Sequence, residues 1–333
     1  MRAEILSLLS GQKIDTIPAF SGLIHVTAEG LESERLSLHE VHHDPQKLAK
    51  AAASTFRLTG MPSAALPLDL CAPAEALGAT LNYYEHGEAR FPQPEKPLFS
   101  STRFISQSSL DRAEFENKGR LPLISQAIRL LKEDIGTEVV ISGILPGPYT
   151  LLLYLTEPGS LFAEMKREPK LVQDALFHLS LFLSQIGSAF REAGADLITI
   201  HEMGGSPGFI GPDKFEQFVF PAVRQLISKL SKPTVLSICG RTNRSVGLLG
   251  LAGADAVSVD QTNDLIVSRA VLKDILLFGD IDPVASLWKG SEADVTEAVH
   301  RAKEAGVDAV WPGCDLVPES PVKNIQAFVE NSS

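Results

Sequence analysis

Two of the chain's three cysteines, Cys239 and Cys314, each follow a short apolar run: TVLSI before the first and DAVWPG before the second. They lie 75 positions apart, too distant for a local zinc-ribbon motif. Two thiolates brought together by folding, with one His or Glu, would make a three-ligand zinc site with an open fourth position, as a catalytic zinc needs. Such a metal acts as a Lewis acid on a thiol or oxygen atom of substrate. The competing account is a pair of buried core cysteines, which are common. His201-Glu202 closes the run DLITI. Adjacent strand residues face opposite ways, so one of the two is expected to face the cavity. Arg241 is suited equally to holding a substrate carboxylate and to pairing with Asp260, which ends the run AVSV. Asp280 and Asp282 in GDIDP offer acid–base groups, although Asp282, just before Pro283, is at least as well placed to cap a helix. Cys71, in a less regular stretch, reads as a core residue.

The elements that must position these groups follow from periodicity. Strands are expected over 138–142, 196–200, 234–238, 254–259, 275–279 and 308–311. Helices are expected over 170–193, 214–230, 245–252, 265–273, 294–306 and 318–331. Leu171, Ala175, Leu179, Phe182 and Ile186 recur at helical spacing in the first of these. The strings AGADLITI, AGADAVSV and AGVDAVWP each carry a glycine (Gly194, Gly253, Gly306) where a helix C-cap wants positive φ. Short, uniformly apolar strands alternating with helices point to a parallel sheet covered on both faces. No GxGxxG follows the first strand and no GxxxxGK[ST] occurs, so a nucleotide-binding open sheet loses its usual support. The expected fold is a single (β/α)₈ TIM barrel spanning 1–333, with active-site groups at the C-terminal ends of the strands. In the less regular N-terminal third, 16–22 (TIPAFSG) is a candidate first inner strand and 44–58 a helix. The proline-rich stretch 89–111 reads as an excursion over the barrel mouth.

Composition sets the outer limits. With 44% hydrophobic and 21% charged residues, the 333-residue chain is that of a soluble globular protein. A net charge of -11 gains nothing from counterion release, so nucleic acid is a poor candidate partner. No run of eighteen apolar residues suggests a membrane span, and Met1 to Lys13 does not resemble a signal peptide. Three cysteines suggest a reducing compartment, hence the cytoplasm.

Seven segments in order resemble the uroporphyrinogen decarboxylase superfamily: LLSGQKIDTIPAF, LDLCAPAEALGATL, GILPGPYTLLLYL, GGSPGFIGPDKFEQFVFPAVRQLI, LSICGRTN, GDIDP and WPGCDLVPESPVKNIQAFVE. The decarboxylases proper carry an arginine-rich MRQAGR opening, whereas 19–30 here holds no arginine. Cys239 and Cys314 instead match the cobalamin-dependent methyltransferase branch, which has His-x-Cys-Gly after the sixth strand and Pro-Gly-Cys after the eighth. The family histidine is Ser237 here, so a third zinc ligand must come from elsewhere. Glu202 is the first choice and His201 the second. A Glu-Cys-Cys set would be similar to that of methyltransferases that use methanol or methoxy-aromatics.

The resemblance implies Zn²⁺ and a corrinoid (cobalamin) carried by a partner protein, since no DxHxxG cobalamin-binding string occurs. The implied reaction moves a methyl group between that corrinoid protein and a small donor or acceptor: a methoxy-aromatic, a methylated amine or a thiol. Glu202, Asp260 and Asp280 are the expected catalytic groups, and Arg241 and Tyr149 the expected substrate contacts. A homodimer is compatible with the chain. The alternatives are a uroporphyrinogen decarboxylase-type enzyme, which needs no metal, and a non-catalytic barrel that binds a corrinoid protein.

Overall fold

The structure, a computed structural model, describes residues 1–85, 90–105 and 118–331. Nine strands follow in chain order: β1 Ser63–Leu66, β2 Leu81–Asn82, β3 Gln93–Pro94, β4 Val140–Pro146, β5 Leu197–Glu202, β6 Thr234–Ile238, β7 Ala256–Val259, β8 Leu276–Ile281 and β9 Ala309–Pro312. Seven form one parallel sheet in the order β1-β4-β5-β6-β7-β8-β9; β2 and β3 pair separately. The sheet is curled in the TIM manner. Its β9 edge bonds to the segment 18–22: Phe20 N donates to Val310 O at 3.2 Å and Val310 N to Pro18 O at 2.9 Å. The same segment reaches the β1 edge, where Ser21 N donates to Ser63 Oγ at 2.9 Å.

Two apolar layers hold the sheet. Inside the curl, Val140, Leu197, Val235, Ala256 and Ala309 line one end. Phe20, Phe278 and Trp311 pack above them, with ring centroids 4.9–5.5 Å apart. Gly22 is required beside this plug, because a Cβ there would lie 2.4 Å from Thr199 Oγ1 and 2.8 Å from Trp311 Cη2. Outside, the larger core lies between strands and helices. The helix Pro169–Ala193 contributes Leu176, Leu179, Phe182, Leu183, Ile186 and Phe190 at helical spacing, all buried.

The βα alternation of the C-terminal two-thirds matches the periodicity, with boundaries displaced by a few residues. Gly194, Gly253 and Gly306 have φ of +116°, +91° and +87°, as the three repeated strings require. Several elements differ from expectation. The helix expected over 214–230 is interrupted by a π-helical turn at Phe215–Val219 before Phe220–Lys229. Pro221 has no N–H to continue the ladder, which accounts for the break. β1 and the helix Leu121–Ile135 are additions ahead of β4. β1 reads SAAL, which carries no β-branched or aromatic residue to announce a strand. The described part of the 89–111 excursion contains β3 and the turn Thr102–Phe104. It is tied down by Phe99 N to Leu155 O at 2.8 Å and by Cys71 Sγ to Pro92 O at 3.3 Å. Residue 89 and residues 106–111 lie outside the described residues.

Candidate metal centre

Alternation along β5 decides which of two neighbours faces inward. Leu197 and Thr199 sit in the curl, so His201 does too, and Ile198, Ile200 and Glu202 face the helices. The same alternation on β6 runs Val235, Ser237, Cys239. The β5–β6 register pairs His201 with Ser237. Cys314 arrives just beyond β9, after Gly313. His201 Nε2 lies 3.7 Å from Cys314 Sγ and 3.9 Å from Cys239 Sγ. All three ligand atoms fall within 4.8 Å of one another. A tetrahedral zinc with bonds of about 2.3 Å to sulfur and about 2.0–2.1 Å to nitrogen spans N···S edges of about 3.6 Å. The donor set therefore fits that ion in both chemistry and spacing.

The electrostatics couple metal capture to proton release. Burial disfavours a charged His201, but the Asp315 carboxylate, 3.5 Å from Nε2, and Cys314 outweigh it and push the imidazole up to about 10. The hydrogen bond from Cys239 and the adjacent imidazolium outweigh burial at Cys314 and lower its thiol to about 6. Cys239 keeps the shared proton and is raised. The lowered Cys314 thiol favours the thiolate that ligates, whereas zinc would have to displace the proton that Asp315 and Cys314 favour on His201. Asp315 is the residue that motif reading passed over. Its only sequence signal is its place directly after Cys314. Its Oδ1 accepts from Ile24 N at 2.9 Å, which leaves Oδ2 toward His201.

The other expected site residues take different positions. Glu202, first choice as third ligand, points away from the sulfurs. Its buried carboxylate accepts from Tyr149 N and Thr150 N at 3.0 Å, from Gly205 N at 2.9 Å, and from Thr150 Oγ1. Burial raises its pKa against these donors. Thr150 Oγ1 in turn accepts from Met203 N and Gly204 N. Glu202 therefore ties the loop after β5 to the first turn of the helix Pro148–Leu155, and His201 supplies the imidazole inside. Tyr149, expected to touch substrate, is fully buried and donates to Met165 Sδ at 3.2 Å in the outer core.

Asp260 does not pair with Arg241. It accepts from Gly240 N, from Thr262 N at 2.9 Å and from Asn263 Nδ2 at 3.0 Å, fixing the turn that carries Cys239. Arg241 is exposed beside Gly208. Asp280 bonds Arg301 Nη2 at 3.2 Å; burial raises its pKa and Arg301 opposes the rise. Asp282 caps the following turn through Val284 N and Ala285 N, both at 2.8 Å.

Cys71 is buried, its thiol pushed up by burial and by Asp69. Beside it lies a charged cluster below the motifs' reach. Arg120 makes a two-pronged pair with Asp69 at 2.8 and 3.2 Å and bonds Glu75 at 2.8 Å.

Comparison with known proteins agrees with this architecture. The chain is 29% identical to methylcobamide:CoM methyltransferase MtbA of Methanosarcina acetivorans, covering 99% of this chain and 96% of the relative. It is 27% identical to methylcobamide:CoM methyltransferase MtaA of Methanosarcina barkeri, with the same coverage. A methyltransferase structure from Methanosarcina mazei superposes with a TM-score of 0.93 at 26% identity, covering 99% of this chain and 97% of that one. The match to the uroporphyrinogen decarboxylase (URO-D) family runs over residues 2–332, and the chain belongs to that family.

Proposed function

We propose that this protein is a zinc-dependent methyltransferase that moves a methyl group between a corrinoid carried on a partner protein and a small heteroatom substrate. The observation that carries the reading is the approach of His201 Nε2 to both Cys239 Sγ and Cys314 Sγ. Full-length similarity to methylcobamide:CoM methyltransferases supports the reaction class. Zinc held by His201, Cys239 and Cys314 would supply a Lewis-acid position for the substrate's sulfur, oxygen or nitrogen.

The chain's own residues do the rest. Asp315 Oδ2 stands 3.5 Å from the same Nε2 that faces the sulfurs, so zinc held there would displace this contact, and Nδ1 has no partner among the described residues. Asp260 braces the Gly240 turn so that Cys239 faces inward. Glu202 and Thr150 lock the opposite side of β5. Arg241, exposed two residues past Cys239, is the group suited to an anionic tail on the substrate. In this reading 18–22 completes an eightfold barrel, the corrinoid protein docks over the C-terminal strand ends, and the enzyme works in the cytoplasm as a homodimer.

The test is zinc content together with methyl transfer, followed by corrinoid absorbance with cob(I)alamin and a panel of methyl donors. About one zinc per chain, lost from Cys239→Ser and Cys314→Ser and retained in Glu202→Gln, supports the reading. A folded, metal-free preparation that keeps full methyl transfer overturns the zinc dependence, and chelator-insensitive decarboxylation of uroporphyrinogen without methyl transfer favours the decarboxylase-type alternative. Zinc without methyl transfer to or from any corrinoid leaves only the non-catalytic barrel.

A further inference from the structure

Three buried side chains stand in a row inside the curl. The strand register sets His201 of β5 beside Ser237 of β6, and Ser237 beside Ser258 of β7. Each follows inward-facing residues at the two-residue repeat: Leu197 and Thr199 on β5, Val235 on β6, Ala256 on β7. All three are almost wholly buried, at 0%, 0% and 1% exposure. His201 Nδ1, Ser237 Oγ and Ser258 Oγ each have no hydrogen-bond partner among the described residues. The adjoining inward pair is satisfied, with Ser142 Oγ 3.0 Å from Gly22 O and 2.8 Å from Thr199 Oγ1. Trp311 Nε1, whose ring stacks on the Phe278 that neighbours Ser258 in register, is unpaired as well.

Valence makes the row a binding site. With a metal on Nε2, the neutral imidazole carries its proton on Nδ1, and the imidazolium carries one there too. Either way a buried N–H needs an acceptor. A serine hydroxyl can accept, but register neighbours on parallel strands stand about 4.8 Å apart, beyond a direct hydrogen bond. One water spans that gap. Two arms of about 2.8 Å to atoms about 4.8 Å apart open an angle of about 118°, close to tetrahedral. The curl of the sheet turns the third side chain toward the same point, and three polar partners are the usual complement of a buried water. Asp315 cannot supply the acceptor, because it meets the ring at Nε2.

We propose, on the zinc reading given above, that His201 Nδ1, Ser237 Oγ and Ser258 Oγ hold one buried water, and that Ser237 is a positioning residue for the metal-binding imidazole. The water accepts from the Nδ1 N–H and donates to the two serine oxygens. It steadies the ring through Nδ1 while Nε2 faces Cys239 and Cys314. Second-shell partners of this kind hold a ligating histidine in its tautomer and orientation.

Metal affinity and the ring proton itself test this on the full chain. Zinc and Co²⁺ affinities are measured by chelator competition, and proton NMR of the Co²⁺ protein is recorded in H₂O and D₂O. Wild type is expected to show a strongly shifted resonance that vanishes in D₂O, from the His201 Nδ1 N–H. Ser237→Ala is expected to bind zinc about 10–100-fold more weakly and to move or broaden that resonance. Ser237→Thr, which keeps the hydroxyl, is expected to retain both. Ser258→Ala should weaken zinc by a smaller factor and also move the resonance, since the water keeps two partners. Circular dichroism checks that each variant folds, and if Ser237→Ala does not, Ser258→Ala decides alone. Unchanged affinity and resonance in Ser237→Ala overturn the proposal. So does a Ser258→Ala variant indistinguishable from wild type, which would assign a direct Ser237–His201 bond in place of the water. A wild type that takes up neither ion overturns the metal reading and this proposal with it. Full zinc uptake that is indifferent to both serines overturns this proposal alone.

Discussion

His201 and Ser237 are register partners on β5 and β6, so the imidazole of one stands directly beside the hydroxyl of the other. Neighbouring parallel strands lie about 4.8 Å apart. A histidine on either strand can therefore bring a ring nitrogen to the same space above Cys239. The position that the methyltransferase motif gives to histidine is Ser237 here, and His201, one strand over, brings Nε2 within 3.9 Å of both sulfurs.

That relationship predicts a transplant. His201→Ala should lower zinc affinity at least about 100-fold, beyond the 10–100-fold typical of losing an outer-shell partner. Adding Ser237→His to His201→Ala should restore much of the loss. Competition with a colorimetric zinc chelator measures both. Failure of the double variant to regain zinc, with its fold intact, would show that the two positions are not interchangeable.

Glu202 should matter to stability before it matters to metal. Glu202→Ala strands the amides of Tyr149, Thr150 and Gly205 and is expected to cost about 2–4 kcal/mol. Thr150→Val, which loses the hydroxyl shared with Met203 and Gly204, should cost about 1–3 kcal/mol. Urea titration reads both. Glu202→Gln should keep zinc stoichiometry unchanged, which separates a bracing carboxylate from a ligand.

Thiol reactivity should single out Cys314. With its thiol lowered to about 6, Cys314 in metal-free protein is mostly thiolate at pH 7. Its alkylation by iodoacetamide should rise at lower pH than that of Cys239. Cys239, whose thiol is raised, should react slowly, and Cys71 should not react without unfolding. His201→Ala should move the Cys314 midpoint upward, and added zinc should protect both cysteines. Peptide mass mapping distinguishes the sites. Equal labelling of Cys239 and Cys314 at pH 7 would contradict the assignment of the shared proton.

Acid stability should depend on Asp69. Burial by itself would raise its pKa, but Arg120 and His42 outweigh that and hold the carboxyl far below the usual range. A carboxylate depressed in the folded state contributes stability above its unfolded pKa of about 3.9; that contribution fades as pH falls, because the unfolded chain takes up the proton first. Wild type should therefore lose stability steeply below about pH 5. Asp69→Asn should flatten part of that slope and cost about 3–5 kcal/mol at pH 7, leaving Glu75 as the carboxylate still paired with the Arg120 guanidinium. Urea midpoints at several pH values measure the difference. An unchanged slope in Asp69→Asn would assign the acid sensitivity to other carboxylates.

Residue order by itself determined the alternation of strands and helices from Val140 onward, the C-cap glycines at 194, 253 and 306, and the candidacy of Cys239 and Cys314 at strand ends. These are local properties: period, φ preference, and the end of a run. It left β1 obscure, because SAAL has a strand's burial without a strand's composition. Only the tertiary structure decided between His201 and Glu202. Their spacing allows either, and the choice depends on which face of β5 meets the inside of the curl, a fact set by Leu197 and Thr199 packing across the sheet. The convergence of Cys239, Cys314 and Asp315 likewise exists only once β6 and β9 are wrapped to a common centre. A sequence lists the donors, but their mutual distances follow from long-range packing.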